Sequence, residues 1–239
     1  MKTLGVIGGL GPMATAYFMQ LIIKMSNAGT DQEHIKTYVS ANPMIPDRTD
    51  FILNKEGAKD PRPYIIEEGR RLRESGAEIL AIPCITAHAF HDDLTKGIGL
   101  PIVHAMEETA KYLKERGITS AGIMATDGTI KTGIFTEYLK QQSITPVICD
   151  SSDQAKVMDI IYNNVKAGRP INMENFYSVS ANLRNRGAEV ILLGCTELSV
   201  VNKERSIGPG YLDVLDVLSQ KAVMTCGKLR DEYRELITV

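Results

Sequence analysis

A thiol and its thiolate can trade a proton with carbon near neutral pH, and two of the four cysteines in this chain stand at matching places. Residues 72–84 read LRESGAEILAIPC and residues 183–195 read LRNRGAEVILLGC. The segments agree at six of thirteen positions: Leu72/Leu183, Arg73/Arg184, Gly76/Gly187, Ala77/Ala188, Glu78/Glu189 and Cys84/Cys195. Most of the remaining differences exchange one apolar residue for another. Each segment predicts a helix end, a glycine stop, a buried strand, and a cysteine where the strand finishes. Two thiols at equivalent strand ends of paired halves would flank one cleft. Such a pair can take a proton from one face of a carbon and return one to the other.

Both cysteines also stand at an expected helix start, Cys84 opening CITAHAF and Cys195 opening CTELS. Unpaired backbone N–H groups and the helix dipole favour a thiolate there. The ordinary fate of a free cysteine is that of a small buried hydrophobe. Cys149 and Cys226, which have no counterpart in the repeat, are read that way; the matched pair is not.

The elements that must hold these thiols follow from apolar runs bounded by turn residues. Strands are predicted near residues 4–8, 35–40, 79–83, 102–104, 120–124, 146–149 and 190–194. Helices are predicted over 13–25, 64–74, 106–116, 132–141, 154–167, 173–186 and 214–236. This alternation predicts an α/β protein with mostly parallel sheets, and the repeat predicts two similar lobes with the active site in the cleft between them. The lobes are expected to be residues 1–99 with 211–239, carrying Cys84, and residues 100–210, carrying Cys195. Ligands in such sheets bind at the carboxyl ends of the strands, where both cysteines fall.

Other residues could serve the same cleft. Thr86, Thr129, Thr132 and Thr196 lie in turns beside strand ends, where hydroxyls and free N–H groups hold carboxylates; threonine caps helices equally well. Glu197 either tunes the cleft or complements a helix N-terminus. The turn Gly9-Leu10-Gly11-Pro12-Met13-Ala14 fits GxGxxA after a strand. Pro12 removes a donor where a phosphate needs one, and the second strand ends without the acidic residue that holds a ribose. A nucleotide-dependent oxidoreductase is therefore the lesser reading. Gly11 and Met13 are expected to bring backbone close to a small ligand. Cys84, His88 and His91 imitate a metal set but lack a second pair at zinc-like spacing, so His88 is read as packed or as a neighbour of Cys84.

The bulk composition is that of a globular domain: 239 residues, 44% hydrophobic, 23% charged, net charge -2. No basic run invites nucleic acid or an acidic membrane. No apolar run approaches the ~20 residues of a membrane span, and the N-terminus is too short and broken for a signal peptide. A cytoplasmic protein with reduced thiols is expected.

The chain resembles the cofactor-independent aspartate/glutamate racemase family, nearest its aspartate racemase branch. The resemblance rests on GVIGGLGPMAT from Gly5, IPDRT from Ile45, PCITAH from Pro83 and GCTEL from Gly194, with weaker matches in DGTIKTGIF and IIYNNVKAG. It implies that Cys84 and Cys195 act as a thiol/thiolate pair on a small acidic amino acid, aspartate first and glutamate second. It implies two Rossmann-like lobes related by a pseudo-twofold and a homodimer, and no metal or other cofactor. It also implies that Arg48 and Lys166 reach substrate carboxylates. Arginine's planar fork suits a carboxylate, whereas Lys166 also fits ordinary capping before Gly168. Ile85 stands where the family usually has Asn, at a position expected to touch substrate. Two other readings keep the same site: a two-cysteine isomerase of another small carboxylate, maleate-like, and a non-catalytic binder of small acids.

Overall fold

The computed structural model describes residues 1–239. The first half begins with β1 (Leu4–Gly8), α1 (Pro12–Met25), β2 (Thr37–Ala41), α2 (Arg48–Ile52), α3 (Arg62–Glu74) and β3 (Ile79–Ala81). A single 3-10 stretch, Ile85–Phe90, leads into α4 (His91–Ile98) and then α5 (Ala105–Glu115). The second half runs β4 (Ser120–Met124), α6 (Asp127–Thr132), α7 (Ile134–Gln141), β5 (Thr145–Ile148), α8 (Ser151–Met158), α9 (Met173–Asn185), β6 (Val190–Leu193), α10 (Thr196–Glu204), β7 (Tyr211–Asp213) and α11 (Val214–Cys226). No helix is long and apolar enough to cross a membrane.

The strands form two all-parallel sheets, ordered β2-β1-β3 and β5-β4-β6-β7. The sheets repeat one plan, with β1 and β4 central. In the first, the fourth-strand position is reduced to a bridge between Leu80 and Ile102, where Val103 N–H donates to Leu80 O. In the second it is a full strand, β7, pairing Ile191 with Tyr211. β1, β3, β4, β6 and β7 are buried on both faces, whereas the edge strands β2 and β5 are partly exposed. Leu4, Val6, Ile123, Val190 and Leu192 join one core that also takes in α1, α5 and α11. Ile7 and Leu80 face a second core, and Met124, Ile191 and Leu193 a third. The fully apolar strand runs thus meet the burial that parallel sheets require.

The repeat has a packing cause. A Cβ on Gly5 would lie 2.5 Å from Leu80 and 2.9 Å from Ala77, with Leu72 next. A Cβ on Gly122 would meet Ile191, Ala188 and Leu183 in the same arrangement. Each helix–strand unit therefore presses its Leu and Ala against a glycine of the central strand. Gly76 and Gly187 end their helices with φ of 98° each, a conformation that favours glycine. Arg73 donates to Ile98 O and Arg184 to Pro209 O, tying each helix to the segment that enters the fourth-strand position. Glu78 N–H donates to Thr3 O and Glu189 N–H to Ser120 O.

Several predicted elements are corrected. The helix predicted over 132–141 is two helices, broken at Gly133 with φ 68°. The last helix stops at Cys226, and Gly227 turns the chain away in an extended conformation. The helix predicted over 154–167 changes after Met158 into a wider π-turn segment, Asp159–Val165. β7 was not anticipated, since three residues ending in aspartate carry no strand periodicity. α2, α4 and α10 lie outside the predicted helices.

Candidate active site

Cys84 and Cys195 each occupy the extended position just before a helical turn, beyond the carboxyl ends of β3 and β6. Cys195 leads directly into the nine residues of α10, whereas Cys84 leads into the 3-10 stretch. Both thiols line one chamber, together with Leu10, Asp47, Arg48, Thr49, Ile85, Thr86, Thr126, Tyr162, Lys166, Thr196 and Glu197. The chamber has a volume of about 10 Å³, which is room for roughly one water. Six of these residues also line a neighbouring cleft of about 620 Å³, to which Gly11 and Met13 belong.

The two thiols have opposite electrostatic company. Cys195 Sγ donates to Glu197 Oε2 at 2.9 Å, an oxygen that also accepts from the Thr196 hydroxyl at 3.3 Å. Burial and the Glu197 charge push the Cys195 pKa well above the usual thiol range. On the other side, burial opposes the Arg48 charge, but the charges of Cys84 and Asp47 outweigh it and raise the Arg48 pKa. Arg48 therefore attends Cys84, while Glu197 and, more weakly, Lys166 attend Cys195.

Arg48 is 8% exposed and is held by three backbone carbonyls: Nη2 donates to Leu10 O at 2.7 Å, and Nη1 to Pro46 O at 3.0 Å and Ile45 O at 3.4 Å. Its buried Nε–H has no partner. Lys166 pairs with Asp47 at 3.9 Å and stands 4.0 Å over the Tyr162 ring. Burial works against the Lys166 charge, but Glu197, Tyr162, Cys195 and Asp47 outweigh it and raise its pKa. Lys166 follows the π-turn segment, which carries Tyr162 and Val165 to the chamber and the cleft. Such segments are frequent at functional sites.

Three buried hydroxyls close a ring: Thr86 to Thr126 at 3.1 Å, Thr126 to Thr129 at 3.0 Å, and Thr129 to Thr86 at 3.1 Å. The ring ties the turn after Cys84 to the turn after β4. Gly128 lets the same turn approach α2, since a Cβ there would sit 3.0 Å from Thr49 Cα. Thr132 lines neither cavity and donates to Thr129 O as a helix residue. Ile85 lines the chamber yet is 2% exposed and belongs to the largest apolar core.

Asp47, Thr49, Thr126 and Tyr162 were not singled out from the sequence. Asp47 and Thr49 flank Arg48 in IPDRT, and Tyr162 lies in IIYNNVKAG, so the motifs that marked Arg48 and Lys166 contained them. Gly9, in the glycine turn, has φ 88°, and a Cβ there would lie 2.5 Å from the Asn42 backbone. That close approach explains the glycine without any nucleotide.

His88 is removed from the chemistry. Its Nε2–H donates to Ile82 O at 3.1 Å and its Nδ1 accepts from Ala105 N–H at 3.5 Å. Burial, reinforced by His104, lowers its pKa to about 3, and burial with His91 lowers that of His104 to about 4. A histidine held neutral by the fold protonates first in the unfolded chain, so stability is lost as pH falls below 6.5. His88 alone should cost about 2 kcal/mol at pH 5 relative to pH 7. Urea midpoints at the two pH values measure this, and an unchanged midpoint would contradict the buried neutral state. Cys149 and Cys226 behave as packing residues, burial raising each pKa to about 11.

A family model described as Asp/Glu/Hydantoin racemase matches residues 7–222. The chain is 26% identical over 207 residues to the broad specificity amino-acid racemase RacX of Bacillus subtilis, covering 83% of this chain and 86% of that protein. It superposes on the Picrophilus torridus aspartate racemase with a TM-score of 0.82 and 29% identity, covering 98% of each chain. A glutamate racemase from Francisella tularensis, in complex with D-glutamate, shares the fold at TM-score 0.65 and 11% identity, over 94% of this chain and 80% of that one.

Proposed function

The chain belongs to the Asp/Glu/Hydantoin racemase family, and from that membership we propose that it inverts amino acids at Cα by passing protons between Cys84 and Cys195, with aspartate the first candidate and glutamate the second. The observation that supports this most is that the one repeated pair of thiols lines one chamber, each at the carboxyl end of an equivalent strand. In the resting enzyme, Cys84 beside Arg48 acts as the base and Cys195, its proton held by Glu197, as the acid. Cys84 removes the Cα proton, the electron pair is left on the substrate, and Cys195 donates its own proton to the opposite face. The product leaves Cys84 as thiol and Cys195 as thiolate, set for the other enantiomer. Lys166 is the donor that offsets charge building on the α-carboxylate, the costly part of such a step, while Arg48 holds the side-chain carboxylate.

An amino acid does not fit a chamber of about 10 Å³, so substrate entry must part its walls. We propose that the two lobes move apart for this, with divisions near residues 103 and 213. Each division is set a few residues later than expected, so that Ile102 stays with β3 and β7 stays with β6. A cytoplasmic homodimer completes the proposal. The test is incubation with each acidic amino acid in D2O. Loss of the α-proton signal supports proton exchange at Cα, and its absence for all of them rejects the reading. A maleate-type isomerase would change substrate geometry without that exchange.

Glu197 has a separate signature. Glu197→Gln keeps an oxygen near Cys195 Sγ but removes the charge, which should lower the Cys195 pKa. Cys195 must be protonated to act as the acid, so the alkaline limb of the pH–rate profile should move to lower pH with it. Alkylation rates of Cys195 in a Cys84→Ser background report the same shift. An unmoved profile and alkylation curve would leave Glu197 as a helix-start residue only.

A further inference from the structure

From the cleft beside the thiol chamber we infer that the same site also racemises amino acids with long, unbranched apolar side chains, a substrate class apart from the acidic ones. This rests on the racemase reading above and extends it. The cleft, about 620 Å³, shares Leu10, Asp47, Arg48, Lys166, Thr196 and Glu197 with the chamber. A substrate whose Cα sits between the thiols can therefore send its side chain there. Beyond that shared floor the walls are Pro12, Met13, Pro43, Ile45, Val165 and Val200. Met13 is 67% exposed, an open apolar surface at the cleft rim.

The charged groups of the cleft are occupied nearby. Arg48 is tied to three carbonyls, Lys166 faces Asp47, and Glu197 accepts from Cys195 and Thr196. Glu204, exposed at the far side, makes no ion pair within the chain. An aspartate side chain ends one carbon beyond Cβ and stops at the shared floor. It leaves the apolar walls wet. A straight side chain of three or four carbons would lie along them and exclude that water.

The test is a homologous series, L-alanine, L-2-aminobutyrate, L-norvaline and L-norleucine, with aspartate and L-lysine alongside, read as α-proton loss in D2O. The value of kcat/KM should rise about two- to fourfold with each methylene, the gain expected for partial to full burial of one CH₂. Norleucine should exceed lysine, which has the same four side-chain carbons but ends in a charge. Val200→Glu and, at an exposed position that does not threaten folding, Met13→Glu should both flatten the series. A flat or falling series with active aspartate exchange overturns this inference and leaves the racemase reading intact. Lysine at or above norleucine overturns it in favour of a charge interaction with Glu204. A gradient that stays steep in both variants overturns the cleft as its cause. No exchange with any amino acid overturns both readings together.

Discussion

Serine in place of either Cys84 or Cys195 is expected to lower racemisation by on the order of a thousandfold or more, the scale of a lost acid or base combined with a hydroxyl too weakly acidic to replace a thiolate. The two variants should not fail alike. Each retains one thiol, and that thiol can still exchange the α-proton of the enantiomer it faces. Deuterium should therefore wash into one enantiomer in Cys84→Ser and into the other in Cys195→Ser, with little interconversion in either. The fold should tolerate both changes. Serine is close to cysteine in size, and at position 195 its hydroxyl can keep the contact that Sγ makes with Glu197 Oε2. Intact stability with lost racemisation is the expected combination, read by urea unfolding and by NMR on each pure enantiomer. Wild-type racemisation in both single variants would remove the pair from the chemistry.

The repeat that exposed this pair was legible because packing forced most of it. Leu72, Ala77 and their counterparts press on Gly5 and Gly122, Gly76 and Gly187 need positive φ, and Arg73 and Arg184 hold the next segment. A need for close contact with a central strand recurs in both halves, and so do the residues that meet it. The cysteines recur as well; each belongs to an apolar core, but neither presses on a central-strand glycine, and both also line the chamber. A repeat thus carries function only after its packing share has been subtracted, and here the remainder is the thiol pair.

What was not legible depends on contacts far apart in sequence. Thr126 carries the same hydroxyl as Thr86 and Thr129, and only the meeting of two turns, 40 residues apart, makes it the third member of a ring. Tyr162 reaches the chamber because the helix widens after Met158, which apolar periodicity does not reveal. Ile85 is the opposite case. Its departure from the family's Asn is plain in the sequence, but its burial in the main core shows that an apolar residue is also what the surrounding fold accommodates.

Arg48→Ala should cost about 2–4 kcal/mol of selectivity for aspartate, as when a buried charged partner is removed from a carboxylate. The guanidinium complicates a simple reading, because it also holds the carbonyls of Leu10, Pro46 and Ile45. Truncation strands those acceptors and adds a stability loss of about 1–3 kcal/mol for each one left dry. Two effects are thus superposed, and the ratio of rates separates them. Loss of stability lowers exchange of aspartate and alanine together. Loss of a carboxylate contact lowers aspartate alone, by roughly thirtyfold or more in the ratio. The unpartnered Nε–H is the reason to expect the second effect. A buried donor without a partner is costly, and a substrate carboxylate is an acceptor that could reach it in an opened chamber. Arg48→Lys keeps a charge but not the fork, so it should recover part of the rate and little of the selectivity. An aspartate-to-alanine ratio equal to wild type in Arg48→Ala would confine Arg48 to bracing the loop between β2 and α2.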